Sequence, residues 1–219
     1  MIVRTRALTM TEASAYLDAL EAAGPHEAAY AAISALAIGI GARIGEVLAL
    51  RNADVLDPSG QVRDKIRRKI SKKRKEVVYR EAFFCDPRLR SIVQRYADSP
   101  ERKGRFFPGE GTFVCFRWSG RRISYLSAWK HNRNFLRAAG IEPGGVAFHG
   151  LRKTFMTAVY RQIYADSGDM LKALTCVQRL AGHDNFNTTL AYLDISEVDL
   201  ETTIGRAVGI FTGKKIRKV

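Results

Sequence analysis

HGLRKTFMTAVYRQIY, residues 149–164, reads at helical spacing, and two more helical stretches follow it, LKALTCVQRLAG (171–182) and NTTLAYLDI (187–195). Working back from this block, the turn EPGG (142–145) separates it from an amphipathic helix over 123–139 that carries Leu126, Trp129, Phe135 and Leu136. A Gly/Pro/charge-rich stretch from Ser99 to Gly111 reads as a loop, and helical periodicity after Pro87 takes in Leu89, Ile92, Val93 and Tyr96. At the other end, Thr9 to Glu12 forms the T-x-x-E pattern of a capping box. Ala13, Tyr16, Leu17 and Leu20 then share one helical face before Gly24-Pro25 stops the helix. From His26 to Ile40 the chain is alanine-rich and apolar almost all round, which suits a helix buried in the core, with Gly39 and Gly41 breaking it. GARIGEVLALR (41–51) starts a third, short helix with Ile44, Val47 and Leu48 facing inward and Arg43 and Glu46 pointing elsewhere.

Between these helices the character changes. DPSG (57–60) is a turn, and residues 61–84 hold two strand-like segments, QVRDKIRRKI and EVVYREAFF, around SKKRK. The expected fold class is α+β: a mostly α-helical domain with a small antiparallel β-sheet or hairpin insert. No internal repeat or linker divides the chain, so residues 1–219 read as a single domain with a basic β-hairpin region at 61–84.

Lysine and arginine outnumber aspartate and glutamate by 36 to 22, a formal net charge of +14 that favours polyanionic partners. More than half of it sits in residues 63–75, RDKIRRKISKKRK, with nine basic side chains and one acidic. Such a run is commonly a solvated turn. Held between two strands, it can instead press several cations onto phosphates, and we assign DNA contact to Arg67, Arg68, Lys69, Lys73, Arg74 and Lys75. A membrane surface is the rival polyanion, yet no basic amphipathic helix or lipidation signal stands out, and no apolar run approaches the roughly 20 residues that span a bilayer. The start MIVRTRALTM lacks a signal core, and the expected location is the cytoplasm, in association with the nucleoid. Cys85, Cys115 and Cys176 form neither a CxxC pair nor a metal-ligand cluster and read as reduced thiols.

Five polar residues interrupt otherwise apolar helical patterns: Arg43, His149, Arg152, His183 and Tyr192. Each admits a structural explanation by itself. Arg43 can pair with Glu46 on the next turn, His149 can serve as an N-cap, and Tyr192 can be a core aromatic with its hydroxyl at the surface. Together they form an ordered set: G-x-R-x-x-E-x-x-x-L at 41–50, HGLR at 149–152, LAGH at 180–183, and Tyr192 nine residues beyond His183.

That set resembles the signature of the tyrosine recombinase, or integrase, family, and the match spans residues 43–192. Ala181 is a departure, since an L-G-H form needs one residue fewer, while the Gly182-His183 pair is intact. The resemblance implies a site-specific DNA recombinase that cuts and rejoins strands through a covalent 3′-phosphotyrosyl bond. Tyr192 would be the nucleophile, Arg43 and Arg152 the phosphate clamp, His149 the base and His183 a phosphate donor. A hairpin lysine would protonate the leaving 5′ oxygen. The pattern K-x-x-K-E-x-x-V places it at Lys72, with Lys75-Glu76-Val77-Val78 as the later half and Lys69 and Lys73 as alternatives. Glu46 would support the arginine helix. The residue types suit the chemistry: guanidiniums fork onto phosphate oxygens, and a phenol with a free pKa of about 10 needs a base and a positive surrounding. No cofactor or metal is expected, because neither a phosphate-cradling GxxxxGK[ST] loop nor a carboxylate cluster for magnesium occurs. Partners implied are double-stranded DNA and three further copies in a homo-tetramer on paired sites, with no membrane and no small-molecule substrate. Family members usually carry an N-terminal DNA-clamping domain, which this sequence is expected to lack, either as an excised fragment or as a natural short form resembling the abbreviated fimbrial invertases. The segment from Glu197 to Val208 resembles the part that docks on a neighbouring protomer. Two other outcomes are compatible with the fold: a type IB topoisomerase-like strand relaxation, and a catalytically silent DNA-binding regulator.

Overall fold

The computed structural model describes residues 5–70, 78–103, 111–114 and 122–182, together with positions 189 and 193. The first helix, α1 (Met10–Glu21), begins where the sequence expects. The Thr9 hydroxyl accepts from the Glu12 amide while the Glu12 carboxylate accepts from the Thr9 amide, closing a capping box. It buries Tyr16 and Leu20. Helix α2 (Ala28–Gly39) is almost wholly buried and lies at the centre, packed against α5 (Pro87–Asp98) and α8 (Phe148–Ser167). Its apolar circumference leaves no solvated face, so it can only sit inside the core. The short helices α3 (Ile44–Leu48) and α4 (Asn52–Val55) follow, then the hairpin.

Strands β1 (Lys65–Ile70) and β2 (Val78–Phe83) pair antiparallel, with Lys65 opposite Phe83, Arg68 opposite Arg80 and Ile70 opposite Val78. Side chains of a strand alternate between faces. Ile66, Arg68 and Ala82 therefore point into the molecule and are buried, while Lys65, Arg67 and Lys69 stand in solvent.

Asp86 caps α5 through the Leu89 amide, and Leu89, Ile92, Val93 and Tyr96 form its buried stripe. The stretch expected to be a loop after Ser99 instead opens with a helical turn, α6 (Pro100–Lys103). Proline pre-sets the backbone angle for a first helical turn. Arg102 anchors the turn: its guanidinium lies 4.9 Å from the Phe113 ring centre and donates to Asn52 Oδ1 at 2.5 Å. The Arg102 charge is buried and partnered.

Helix α7 (Tyr125–Ala138) and α8 close the main core, and α9 (Met170–Ala181) packs on α8. Met156 and Tyr160 of α8 meet Ala173, Leu174 and Val177 of α9 in a smaller cluster beside the main core. Apart from positions 189 and 193, the helix expected at 187–195 lies outside the described residues, as do the segment from Glu197 to Val208 and Cys115. No described helix is long and apolar enough to cross a membrane.

Candidate active site

The turn that ends α2 sets the floor of the site. Gly41 has φ +56°, a conformation natural to glycine, and a Cβ there would lie 2.4 Å from the Phe155 ring of α8. The bare backbone lets α8 come close enough for Arg152 Nη1 to donate to the Gly41 carbonyl. Arg152 Nη2 donates to the Ala181 carbonyl at 2.7 Å, at the end of α9. The side chain is 1% exposed. One guanidinium thus fastens the turn before Arg43 to the end of the helix before His183.

Arg43 stands at the N-cap of α3. Its amide donates to Glu46 Oε2 at 3.2 Å and its Nη1 to Glu46 Oε1 at 3.1 Å, while 43% of the side chain remains exposed. Glu46 is buried and accepts a third bond, from Arg68 Nη1 at 2.9 Å. A buried carboxylate is costly unless paired, and here two guanidiniums pair it. Arg68 also donates Nη2 to the Leu180 carbonyl at 2.8 Å. Burial pulls the Arg68 guanidinium below its ordinary pKa, an effect opposed by the Glu46 charge beside it.

The end of α9 gathers cations. Arg80 Nη1 donates to the Arg179 carbonyl at 2.9 Å, so Arg80, Arg68 and Arg152 serve three successive carbonyls, 179, 180 and 181. The last carbonyls of a helix lack intrahelical partners and carry the negative end of its dipole, which suits guanidinium donors. Gly182 caps the helix with φ +69°, and a Cβ there would meet Arg80 Nη1 at 2.7 Å.

His149 lies at the exposed N-terminal end of α8. Partial burial of its ring holds its pKa below the ordinary 6.5, and the positive charges of Arg152, Arg43 and Lys153 push the same way. A histidine so placed is neutral at pH 7 and able to accept a proton.

On the outer hairpin face, Arg67 stacks 4.2 Å over the Tyr79 ring centre and Lys65 lies 5.3 Å over Phe83. Arg67 and Lys69 line a cleft of about 720 Å³ with Arg51, Tyr79 and Arg122. Four cations line this concavity beside the exposed Tyr79 ring, with Asp54 as the one carboxylate in the lining.

Of the residues singled out in the sequence, the fold brings Arg43, His149 and Arg152 into one electrostatic neighbourhood and leaves Arg67 and Lys69 exposed. Arg68 departs from the expectation of DNA contact: it is 3% exposed and turned into the molecule, because strand alternation puts it on the face of Ile66. Lys72, Lys73, Arg74, Lys75, His183 and Tyr192 lie outside the described residues. Arg80 was not anticipated; its position across the strand pair from Arg68 was the available signal.

A layer of helices around one buried central helix, flanked by a basic two-stranded hairpin, defines a tyrosine recombinase catalytic fold. The chain belongs to the phage integrase family, whose model matches residues 6–198. Among solved structures it is similar to the XerH site-specific recombinase bound to a palindromic difH substrate in a post-cleavage complex. That match has 20% identity and a TM-score of 0.69, covering 96% of this chain and 54% of the other. It is also similar to XerA recombinase, at 19% identity and TM-score 0.68 over 99% of this chain and 66% of that one. A lambda integrase dimer bound to a COC′ core site aligns at 16% identity and TM-score 0.60, over 100% and 52%. The chain therefore spans about half to two thirds of the length of these proteins. No curated protein sequence matches it.

Proposed function

We propose that this chain supplies the catalytic domain of a site-specific DNA recombinase working through a 3′-phosphotyrosyl intermediate on Tyr192. The observation that carries the reading is the meeting of three motifs at Arg152. Its guanidinium binds the carbonyls of Gly41, two residues ahead of Arg43, and Ala181, two ahead of His183, and it sits three residues after His149.

In the proposed reaction the Tyr192 phenol gives its proton to His149, and its oxygen attacks the scissile phosphorus. The bond from phosphorus to the 5′ oxygen breaks, and Lys72 gives that oxygen a proton, leaving a free 5′ hydroxyl. Arg43, Arg152 and His183 stabilise the charge that builds on the non-bridging oxygens. Rejoining reverses each step with a different 5′ hydroxyl, so the bond energy is conserved in the phosphotyrosine and no fuel is consumed. Because Arg152 is 1% exposed, the scheme requires DNA binding to uncover it. Arg67, Lys69, Lys73, Arg74 and Lys75 grip the DNA backbone, and four copies act on paired sites in association with the nucleoid. Structures similar in fold were solved with DNA bound, as the XerH and lambda integrase complexes were, which supports DNA as the partner.

The test is incubation with a library of nicked suicide duplexes of randomised core sequence, followed by denaturing electrophoresis. A covalent protein–DNA band, enriched in one core sequence and absent in Tyr192→Phe, is expected. An adduct without sequence preference would favour topoisomerase-like relaxation, and a DNA mobility shift with no adduct would favour a silent regulator.

A further inference from the structure

Arg68 is the one hairpin cation whose side chain reaches both motif-bearing ends of the helical core among the described residues. From the inner face of β1 its guanidinium spans two acceptors on different elements, Glu46 Oε2 of α3 at 2.9 Å and the Leu180 carbonyl of α9 at 2.8 Å. Glu46 passes the constraint on, since the same carboxylate holds the Arg43 amide and the Arg43 guanidinium. The Leu180 carbonyl adjoins the Ala181 carbonyl that holds Arg152. Arg68 is thus one bond-and-carboxylate removed from Arg43 and one peptide removed from the anchor of Arg152.

We propose that Arg68 is a positioning residue for the strand-cleavage reaction, locking β1, the Glu46–Arg43 pair and the last turn of α9 into one register; this rests on the recombinase reading above. Two features favour a geometric role over a simple contribution to stability. Replacing a whole buried ion pair by apolar groups typically costs little stability, because desolvating the charges offsets their attraction, so stability alone does not account for the pair. The planar fork of arginine also holds two acceptors at fixed separation and angle, which neither lysine nor an apolar side chain reproduces. β1 leads directly in sequence to residues 71–77, which carry Lys72.

The experiment compares wild type, Arg68→Met and Arg68→Lys on the suicide duplex that wild type cleaves. Thermal melting, DNA affinity and single-turnover adduct formation are measured for each. Arg68→Met is expected to fold with a lowered melting temperature, since Glu46 then keeps only Arg43, and, at a temperature where it is folded, to bind DNA with unchanged affinity. Its adduct should form more slowly by on the order of a hundredfold, the size of effect that a small misplacement of reacting groups produces. Arg68→Lys, which keeps the charge and loses the fork, should fail to restore the rate. Glu46→Gln should slow adduct formation at least as much as Arg68→Met, since that carboxylate holds Arg43 as well as Arg68.

Adduct formation at the wild-type rate in a folded Arg68→Met or Arg68→Lys protein would overturn the proposal. Failure of both variants to fold would overturn it too, by making Arg68 a stability residue. If wild type itself forms no adduct, the recombinase reading fails first. Hydrogen–deuterium exchange then tests the lock alone: Arg68→Met should speed exchange in residues 43–46 and 179–182, and unchanged exchange there would contradict the positioning role.

Discussion

His149 is held neutral by partial burial and by three neighbouring cations, and this bears directly on how cleavage depends on pH. A base works only in its unprotonated form, which for histidine is populated above its pKa. Because the folded-state pKa lies below 6.5, cleavage is expected to stay level as the pH falls from 7.5 to about 6.5 and to decline only below that. Single-turnover adduct formation across this range checks it, and the acid decline should vanish in His149→Gln against a uniformly lower rate. A decline centred well above pH 6.5 would remove His149 as the base. At this scale the residues legible in sequence were those that break an apolar helical pattern: Arg43, His149 and Arg152 stand out where a hydrophobic residue fits. Arg68 was not legible in the same way. Within a run of nine basic residues it is indistinguishable by composition from Arg67 and Lys69, and only the alternation set by Ile66 separates them.

At the scale of elements, the site depends on two helix ends meeting, and glycine makes one of those meetings possible. Gly41→Ala forces a side chain into the left-handed region, at a cost of roughly 1–2 kcal/mol, and drives its Cβ into the Phe155 ring at 2.4 Å. The variant should lose at least that much stability in urea denaturation, and because the Gly41 carbonyl anchors Arg152 it should also form less adduct at equal folded protein. A wild-type denaturation midpoint would mean that the α2–α8 contact is looser than described. The helices themselves were well marked in the sequence by caps and periodicity, as the Thr9-Glu12 capping box at α1 and the apolar spacing after Pro87 at α5 illustrate. The turn α6 was missed because its anchor is a contact between Arg102, Asn52 and Phe113 across the fold, and no local pattern reports such a contact.

For the whole molecule, the charge of +14 was the first pointer to a polyanion, and the fold divides those cations into two populations. Arg67 and Lys69 face solvent, while Arg68, Arg102 and Arg152 are buried and structural in their contacts. Binding to DNA releases counterions in proportion to the phosphates neutralised. Arg67→Ala and Lys69→Ala should each reduce the slope of log affinity against log salt by about 1, whereas Arg68→Met should leave the slope unchanged. Equal slopes for all three variants would place the DNA on another face. The motif order along the chain, from Arg43 to Tyr192, carried the family assignment before any geometry was available. A covalent bond between Tyr192 and DNA is tested directly by digesting the trapped adduct with nuclease and protease and locating the nucleotide by mass spectrometry. A nucleotide 3′-phosphate is expected on the peptide containing Tyr192; attachment to any other residue, or no attached nucleotide at all, would rule out Tyr192 as the nucleophile.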